Sequence, residues 1–169
     1  MCYVFFVCME TFVGIDCVHP YLLDYQQQYF SDLKITGPLH ITLKYLGDVG
    51  ADELPPLIQK LKKINTKPFT LNTSTIATFN NPLSTRLLFV AVAHNKQLHT
   101  LQQKITRVLK DTYAAEQSYT PHVTIARSNA KVSVYTYPSP LKTNFRVTHF
   151  CLYQKGADGY KIVHRFQLK

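Results

Sequence analysis

Apolar and polar positions along the chain switch between two periods, one of 2 and one near 3.6, and the switches divide it into elements. Residues 2–13 form an apolar run rich in Val and Phe, which predicts a buried strand. Residues 20–33 begin with Pro20, suited to a first helical position, and set Leu22, Tyr25, Tyr29 and Leu33 on one helical face. A strand follows over 39–46, ended by Gly47-Asp48. Residues 52–64 then place Leu54, Leu57, Ile58, Leu61 and Ile64 at helical spacing, with Asp52 as the expected cap and both prolines in the first turn.

The second half repeats this order. Strands over 69–79 and 86–93 precede a helix over 96–113, striped by Leu98, Leu101, Ile105, Val108 and Leu109 and capped by Asn95. A strand over 119–127 comes next. After the turn-rich "YTYPSP", strands over 144–154 and 160–167 flank "GADG", a hairpin signal. The pattern predicts an α+β fold of antiparallel sheets with helices on their outer faces, arranged as two related lobes. No low-complexity tract or linker interrupts it, so residues 1–169 read as a single domain.

A 46% apolar content in 169 residues supports one proper core. The formal charge of +9 is spread along the chain instead of forming a tail, which predicts a folded, positive surface and a nucleotide or polyanion partner. A high pI with no such partner is the plainer alternative. Cys2, Cys8, Cys17 and Cys151 show neither zinc nor redox spacing, so reduced, buried thiols are expected. The opening "MCYVFFVCMETFV" lacks a basic leader and a small-residue cleavage site, and Glu10 interrupts it early. It reads as a strand, not as a signal or a membrane span. The expectation is a cytoplasmic monomer that does not engage a membrane.

Within this frame one pattern occurs twice. "LHITLKYL" at 39–46 and "PHVTIAR" at 121–127 each carry His, an apolar residue, Thr and another apolar residue, about eighty positions apart. Composition alone yields roughly 0.15 such matches over all the histidines, so two by accident is improbable. On a strand, residues i and i+2 share a face, which sets His40 beside Thr42 and His122 beside Thr124, while Ile41, Leu43, Val123 and Ile125 point into the core.

If the two strands face one cleft, two imidazoles and two hydroxyls converge. Cleaving a phosphodiester requires one proton taken from the attacking oxygen and one given to the leaving oxygen, and two histidines titrating near neutrality can do both. Threonine hydroxyls can hold the non-bridging oxygens. This chemistry calls for no cofactor. A lone His-Ile-Thr on a strand is more often a satisfied, partly exposed pair than a site, but two copies on equivalent strands reverse that weighting. His19, His94, His99, His149 and His164 have no matching partners and read as surface or helix-start residues. A metal site is not expected, because no His-Glu-x-x-His occurs and a Thr at i+2 is not a usual zinc ligand.

The two motifs resemble the paired His-x-Thr-x signatures of the 2H phosphoesterase superfamily, especially its RNA ligase-like 2′,3′-cyclic phosphodiesterase branch. The first motif is close to that family's form even in the trailing Leu46-Gly47-Asp48. The resemblance implies two pseudo-symmetric lobes of antiparallel sheet with outer helices enclosing a central cleft. It implies His40 and His122 as the acid–base pair and Thr42 and Thr124 as phosphate ligands. It further implies metal-independent action on nucleotide or RNA substrates with 2′,3′-cyclic or 2′–5′ linked phosphates. Viral members of the family that remove 2′–5′ linked second messengers, such as 2′–5′ oligoadenylate or cyclic GMP-AMP, extend the implication to immune evasion.

Supporting residues follow from the strand phase. Lys44, two positions after Thr42, is expected on the cleft face, and Ala126 takes the equivalent place in the second motif. Arg127 stands where the family often has a basic residue, but three positions from Thr124 it should point away unless the strand bulges. Tyr119 is the expected stacking platform for a base. The rival reading is a binding module of the same fold that holds nucleotide or RNA without turnover. Both imidazoles and both hydroxyls are intact, which favours the enzyme.

Overall fold

The computed structural model describes residues 8–31, 33, 38–114 and 118–169. Among the described residues, eight strands and three α-helices occur in the order β1 (Met9–Asp16), α1 (Pro20–Phe30), β2 (His40–Val49), α2 (Leu54–Leu61), β3 (Phe69–Ala77), β4 (Thr85–Val92), α3 (Lys96–Leu109), β5 (His122–Val132), β6 (Asn144–Val147), β7 (His149–Gly156) and β8 (Gly159–Gln167). The expected first strand falls at β1, with positions 2–7 and Cys2 outside the described residues.

The strands form one antiparallel sheet ordered β6-β3-β4-β5-β2-β1-β7-β8. The motif strands β2 and β5 lie side by side at its centre, joined through Ile41 and Val123. Outward from that seam, β5-β4-β3-β6 and β2-β1-β7-β8 make two four-stranded lobes, and the units β1-α1-β2 and β4-α3-β5 correspond. The two-lobed α+β reading therefore holds.

The expected strand over 144–154 is two strands. It breaks at Thr148, because β6 pairs with β3 at one edge of the sheet while β7 pairs with β1 and β8 near the other. A single residue between β6 and β7 spans only about 7 Å, so the two ends of the sheet must curl towards each other. The Leu168 amide closes the same corner by donating to the Thr148 carbonyl at 2.8 Å.

Two of the helices pack across the seam, α1 against β5 and α3 against β2, while α2 packs on α3. One core cluster accordingly takes side chains from both lobes, among them Ile15, Ile41 and Leu43 with Val90, Val123 and Ile125. Asn95 caps α3 as expected, its Oδ1 accepting from the Leu98 amide at 2.9 Å. The α2 cap differs: Glu53, not Asp52, precedes the helix, and its carboxylate accepts from the Gly50 amide. The buried face of α1 runs through Leu22, Tyr25, Gln26 and Phe30, which puts Tyr29 at its exposed margin, and the helix ends at Phe30, short of Leu33. Cys17 and Cys151 are buried, whereas Cys8 is exposed, contrary to the expectation of buried thiols. Among the described residues no helix is long and apolar enough to cross a membrane.

Candidate active site

Because Ile41 pairs with Val123, antiparallel counting sets His40 towards Thr124 and Thr42 towards His122. All four side chains line one cleft of about 700 Å³. Sequence reasoning places these four residues together, and the structure does so on adjacent strands instead of across a gap between separate sheets.

The two imidazoles are held alike. His40 Nδ1 lies 2.7 Å from the Pro38 carbonyl and His122 Nδ1 lies 2.8 Å from the Thr120 carbonyl, two residues upstream in each motif. A carbonyl can only accept, so Nδ1 carries the hydrogen in both rings and Nε2 is left for proton transfer. Aromatic rings fix the planes. His40 lies 4.6 Å from the Phe12 ring, which stacks in turn on Tyr153, and His122 lies 4.9 Å from both Phe79 and Phe89.

The residues opposite the two threonines differ between lobes. Phe89 faces Thr124, whereas Gly14 faces Thr42. A Cβ on Gly14 would lie 2.8 Å from the Ile41 carbonyl oxygen and 3.1 Å from the Phe12 ring. Glycine thus lets the Phe12 ring fold over the strand to reach His40. Burial, together with the nearby His122, lowers the His40 pKa from its ordinary value, although the Pro38 hydrogen bond and Asp16 oppose the shift.

Both motif strands bulge immediately after the motif, and this re-aims the residues beyond it. In β2, Thr42 pairs with Gly14 but Lys44 pairs with Val13, leaving Leu43 as the extra residue. In β5, Thr124 pairs with Phe89 but Ala126 pairs with Leu88, leaving Ile125 as the extra residue. An extra residue reverses the in–out phase. Lys44, expected on the cleft face, is therefore turned into the interior, 1% exposed, where its ammonium donates to the Ala114 carbonyl. Tyr45 takes its place in the cleft, and Arg127, by the same shift, lines the cleft as the bulged alternative requires. The bulge in β5 has a dedicated partner: buried Gln26 of α1 donates from Nε2 to the Ile125 carbonyl at 2.6 Å.

The lobe carrying His40 contributes residues that the motif pattern does not reveal. Glu10 accepts from the Tyr160 hydroxyl and from Lys155 Nζ, the latter at 2.9 Å, and these three line the cleft with the 156–159 hairpin. Those two hydrogen bonds, from Tyr160 first and Lys155 second, lower the Glu10 pKa. The Gly156-Ala157-Asp158-Gly159 turn itself was legible as a hairpin, and Gly159 has the positive φ of 111° that such a reversal needs.

A second depression of about 290 Å³ adjoins the cleft, lined by Thr42, Phe79, Ser118, Tyr119, Thr120 and His122. Tyr119 reaches it as a half-buried ring set edge-on to His99, while the exposed aromatic surface there belongs to Phe79, which is 54% exposed.

Two lobes related about a central strand pair, each presenting a His-x-Thr strand to a shared cleft, make the fold of a 2H phosphoesterase. The chain belongs to the 2′-5′ RNA ligase superfamily, whose family model matches residues 19–159. It is 29% identical over 104 residues to the RNA 2′,3′-cyclic phosphodiesterase of Archaeoglobus fulgidus, an alignment covering 60% of this chain and 59% of that protein. The chain thus spans about three fifths of the length of that relative. The namesake protein of Methanocaldococcus jannaschii is 27% identical over 126 residues, covering 70% of this chain and 71% of its own. In fold, the chain is similar to E. coli LigT complexed with 3′-AMP, with a TM-score of 0.77 at 20% identity over 96% of this chain and 99% of that one. The PDE domain of MHV ns2 is similar more distantly, with a TM-score of 0.62 at 15% identity over 86% and 99% of the two chains.

Proposed function

We propose that the protein is a phosphodiesterase acting on 2′-linked or 2′,3′-cyclic phosphodiesters of nucleotides or RNA. The observation that carries this reading is the matched setting of His40 and His122. Each is fixed through Nδ1 by a carbonyl two residues upstream, on paired strands, with Nε2 available beside a threonine. The names of the archaeal relatives, RNA 2′,3′-cyclic phosphodiesterase, support the same reaction class.

In this reading one imidazole takes the proton of the attacking oxygen and the other protonates the departing one, each transfer contributing about 10²- to 10⁴-fold. Thr42 and Thr124 donate to the non-bridging oxygens, and a hydrogen bond to a charged group contributes roughly 1.5–3 kcal/mol. Arg127, lining the cleft, adds positive potential for the phosphate, whereas the charge of Lys155 is balanced by Glu10. One neutral and one protonated imidazole are needed at once, so kcat/KM follows a bell-shaped dependence on pH.

The test is a turnover assay in EDTA that offers a 2′,3′-cyclic nucleotide, a 2′–5′ dinucleotide, a 3′–5′ dinucleotide, 2′–5′ oligoadenylate and a mixed-linkage cyclic dinucleotide. Cleavage confined to 2′-linked or 2′,3′-cyclic substrates is expected, and turnover of the last two would extend the reading to second messengers. A folded protein that binds these compounds and converts none would be a nucleotide-binding module instead.

A further inference from the structure

The cleft and the smaller depression share two residues, Thr42 and His122. They therefore adjoin at the Thr42–His122 position and continue from it along different walls, one along Glu10, Tyr45 and Tyr160, the other along Phe79, Ser118 and Thr120. His40 lines only the first, whereas His122 lines both. A cyclic mononucleotide would occupy one side and leave the other to water.

We infer that the depression beside His122 is a subsite for the leaving nucleoside, with the exposed ring of Phe79 as its stacking platform. The inference rests on the phosphodiesterase reading above and adds the substrate's direction to it. The side wall suits a nucleoside: an aromatic face for the base, with Ser118 and Thr120 hydroxyls flanking it as small hydrogen-bonding groups. Phe79 is held for that task, its ring packed 4.5 Å from Phe89 and edge-on to His122 at 88°, while 54% of the residue stays exposed. The Glu10 side then holds the nucleoside that keeps the phosphate.

This direction assigns the proton transfers for a 2′–5′ linkage. His40 Nε2 takes the proton of the 3′-hydroxyl, whose oxygen forms the new bond to phosphorus. The bond from phosphorus to the 5′ oxygen breaks, and that oxygen takes a proton from His122 Nε2. The products are a 2′,3′-cyclic phosphate and a nucleoside with a free 5′-hydroxyl. Opening of the cyclic phosphate is the same path reversed in sense: water in the vacated depression gives its proton to His122 as its oxygen bonds phosphorus, and His40 protonates the departing ribose oxygen. Burial of His40, which favours its neutral form, agrees with its starting as the base.

The experiment compares kcat and KM for a 2′–5′ diadenylate and for 2′,3′-cyclic AMP in wild type, Phe79→Ala and Phe79→Tyr. A disturbed His122 lowers kcat on both substrates, as acid for one and base for the other, whereas a lost stack weakens the dinucleotide alone. The kcat/KM ratio of dinucleotide to cyclic nucleotide should fall about tenfold or more in Phe79→Ala, the scale of one lost base stack, and recover in Phe79→Tyr. An unchanged ratio in Phe79→Ala would overturn the subsite, as would a wild type that opens cyclic AMP but leaves the dinucleotide intact. Failure on both substrates would instead remove the phosphodiesterase reading on which the subsite stands.

Discussion

His40 is the residue whose surroundings make the sharpest demand on solution behaviour. Its imidazole is packed among Phe12, Tyr153 and Tyr160, and that burial lowers its pKa. Below about pH 6.5 the unfolded chain takes up the proton before the folded chain does, so acidification favours unfolding until the pH passes below the folded-state value. Urea unfolding of wild type and His40→Gln between pH 7.5 and 5.5 checks this. Wild type should lose stability more steeply than the variant as the pH falls, and a wild-type slope equal to the variant's would show that burial does not depress His40. Gly14 offers a second test, since a Cβ there meets the backbone oxygen of Ile41. Gly14→Ala should cost about 1–3 kcal/mol and lower turnover by displacing the Phe12 ring from His40, measurable by thermal unfolding beside the cyclic nucleotide assay.

At the scale of the elements, the two bulges decide which side chains reach the cleft. His40, Thr42, His122 and Thr124 were legible because a period of 2 holds within each motif. The period breaks at the last residue of each motif, Leu43 and Ile125, residue types that any strand would accept, so the sequence carries no sign that Lys44 turns inward while Tyr45 turns to the cleft, and Arg127 was open only as the bulged alternative. Phe12, Glu10, Lys155 and Phe79 were out of reach for a related reason: they come from other strands or loops, and no local spacing ties them to a histidine. The Asn95 cap and the Gly156-to-Gly159 turn were legible because their residue types answer local backbone needs. The bulge in β5 leans on Gln26, whose side chain satisfies the Ile125 carbonyl. Gln26→Leu leaves that buried carbonyl unpaired, which should destabilise the protein by about 1–3 kcal/mol and raise KM through a displaced Arg127. A variant with lowered stability but unchanged KM would separate the bulge from the site.

Across the whole molecule, the lobes are interlocked. Each central helix packs on the other lobe's motif strand, the chain crosses between lobes at Thr148, and the core runs through both. The split of the 144–154 run was not legible: the core-facing phase slips by one residue at Thr148, from Phe145 and Val147 to Phe150 and Leu152, but the unbroken apolar run from Phe150 to Tyr153 hides the slip. Such interlocking predicts one cooperative unfolding transition, with coincident curves from circular dichroism and from the fluorescence of the eleven tyrosines in this chain without tryptophan. Two separated transitions would mean that the lobes stand alone. The same arrangement gives the site its character, since neither lobe holds both histidines.

The central claim is that His40 and His122 act as one unit, and a mutant cycle measures it directly. The quantity is kcat/KM for 2′,3′-cyclic AMP in EDTA for wild type, His40→Ala, His122→Ala and the double variant, with circular dichroism confirming that each is folded. Each single variant should lose about 10²- to 10⁴-fold, and the double variant should be little worse than either, because a proton taken and a proton given serve one displacement. Substantial turnover in either single variant, or losses that multiply in the double, would contradict it.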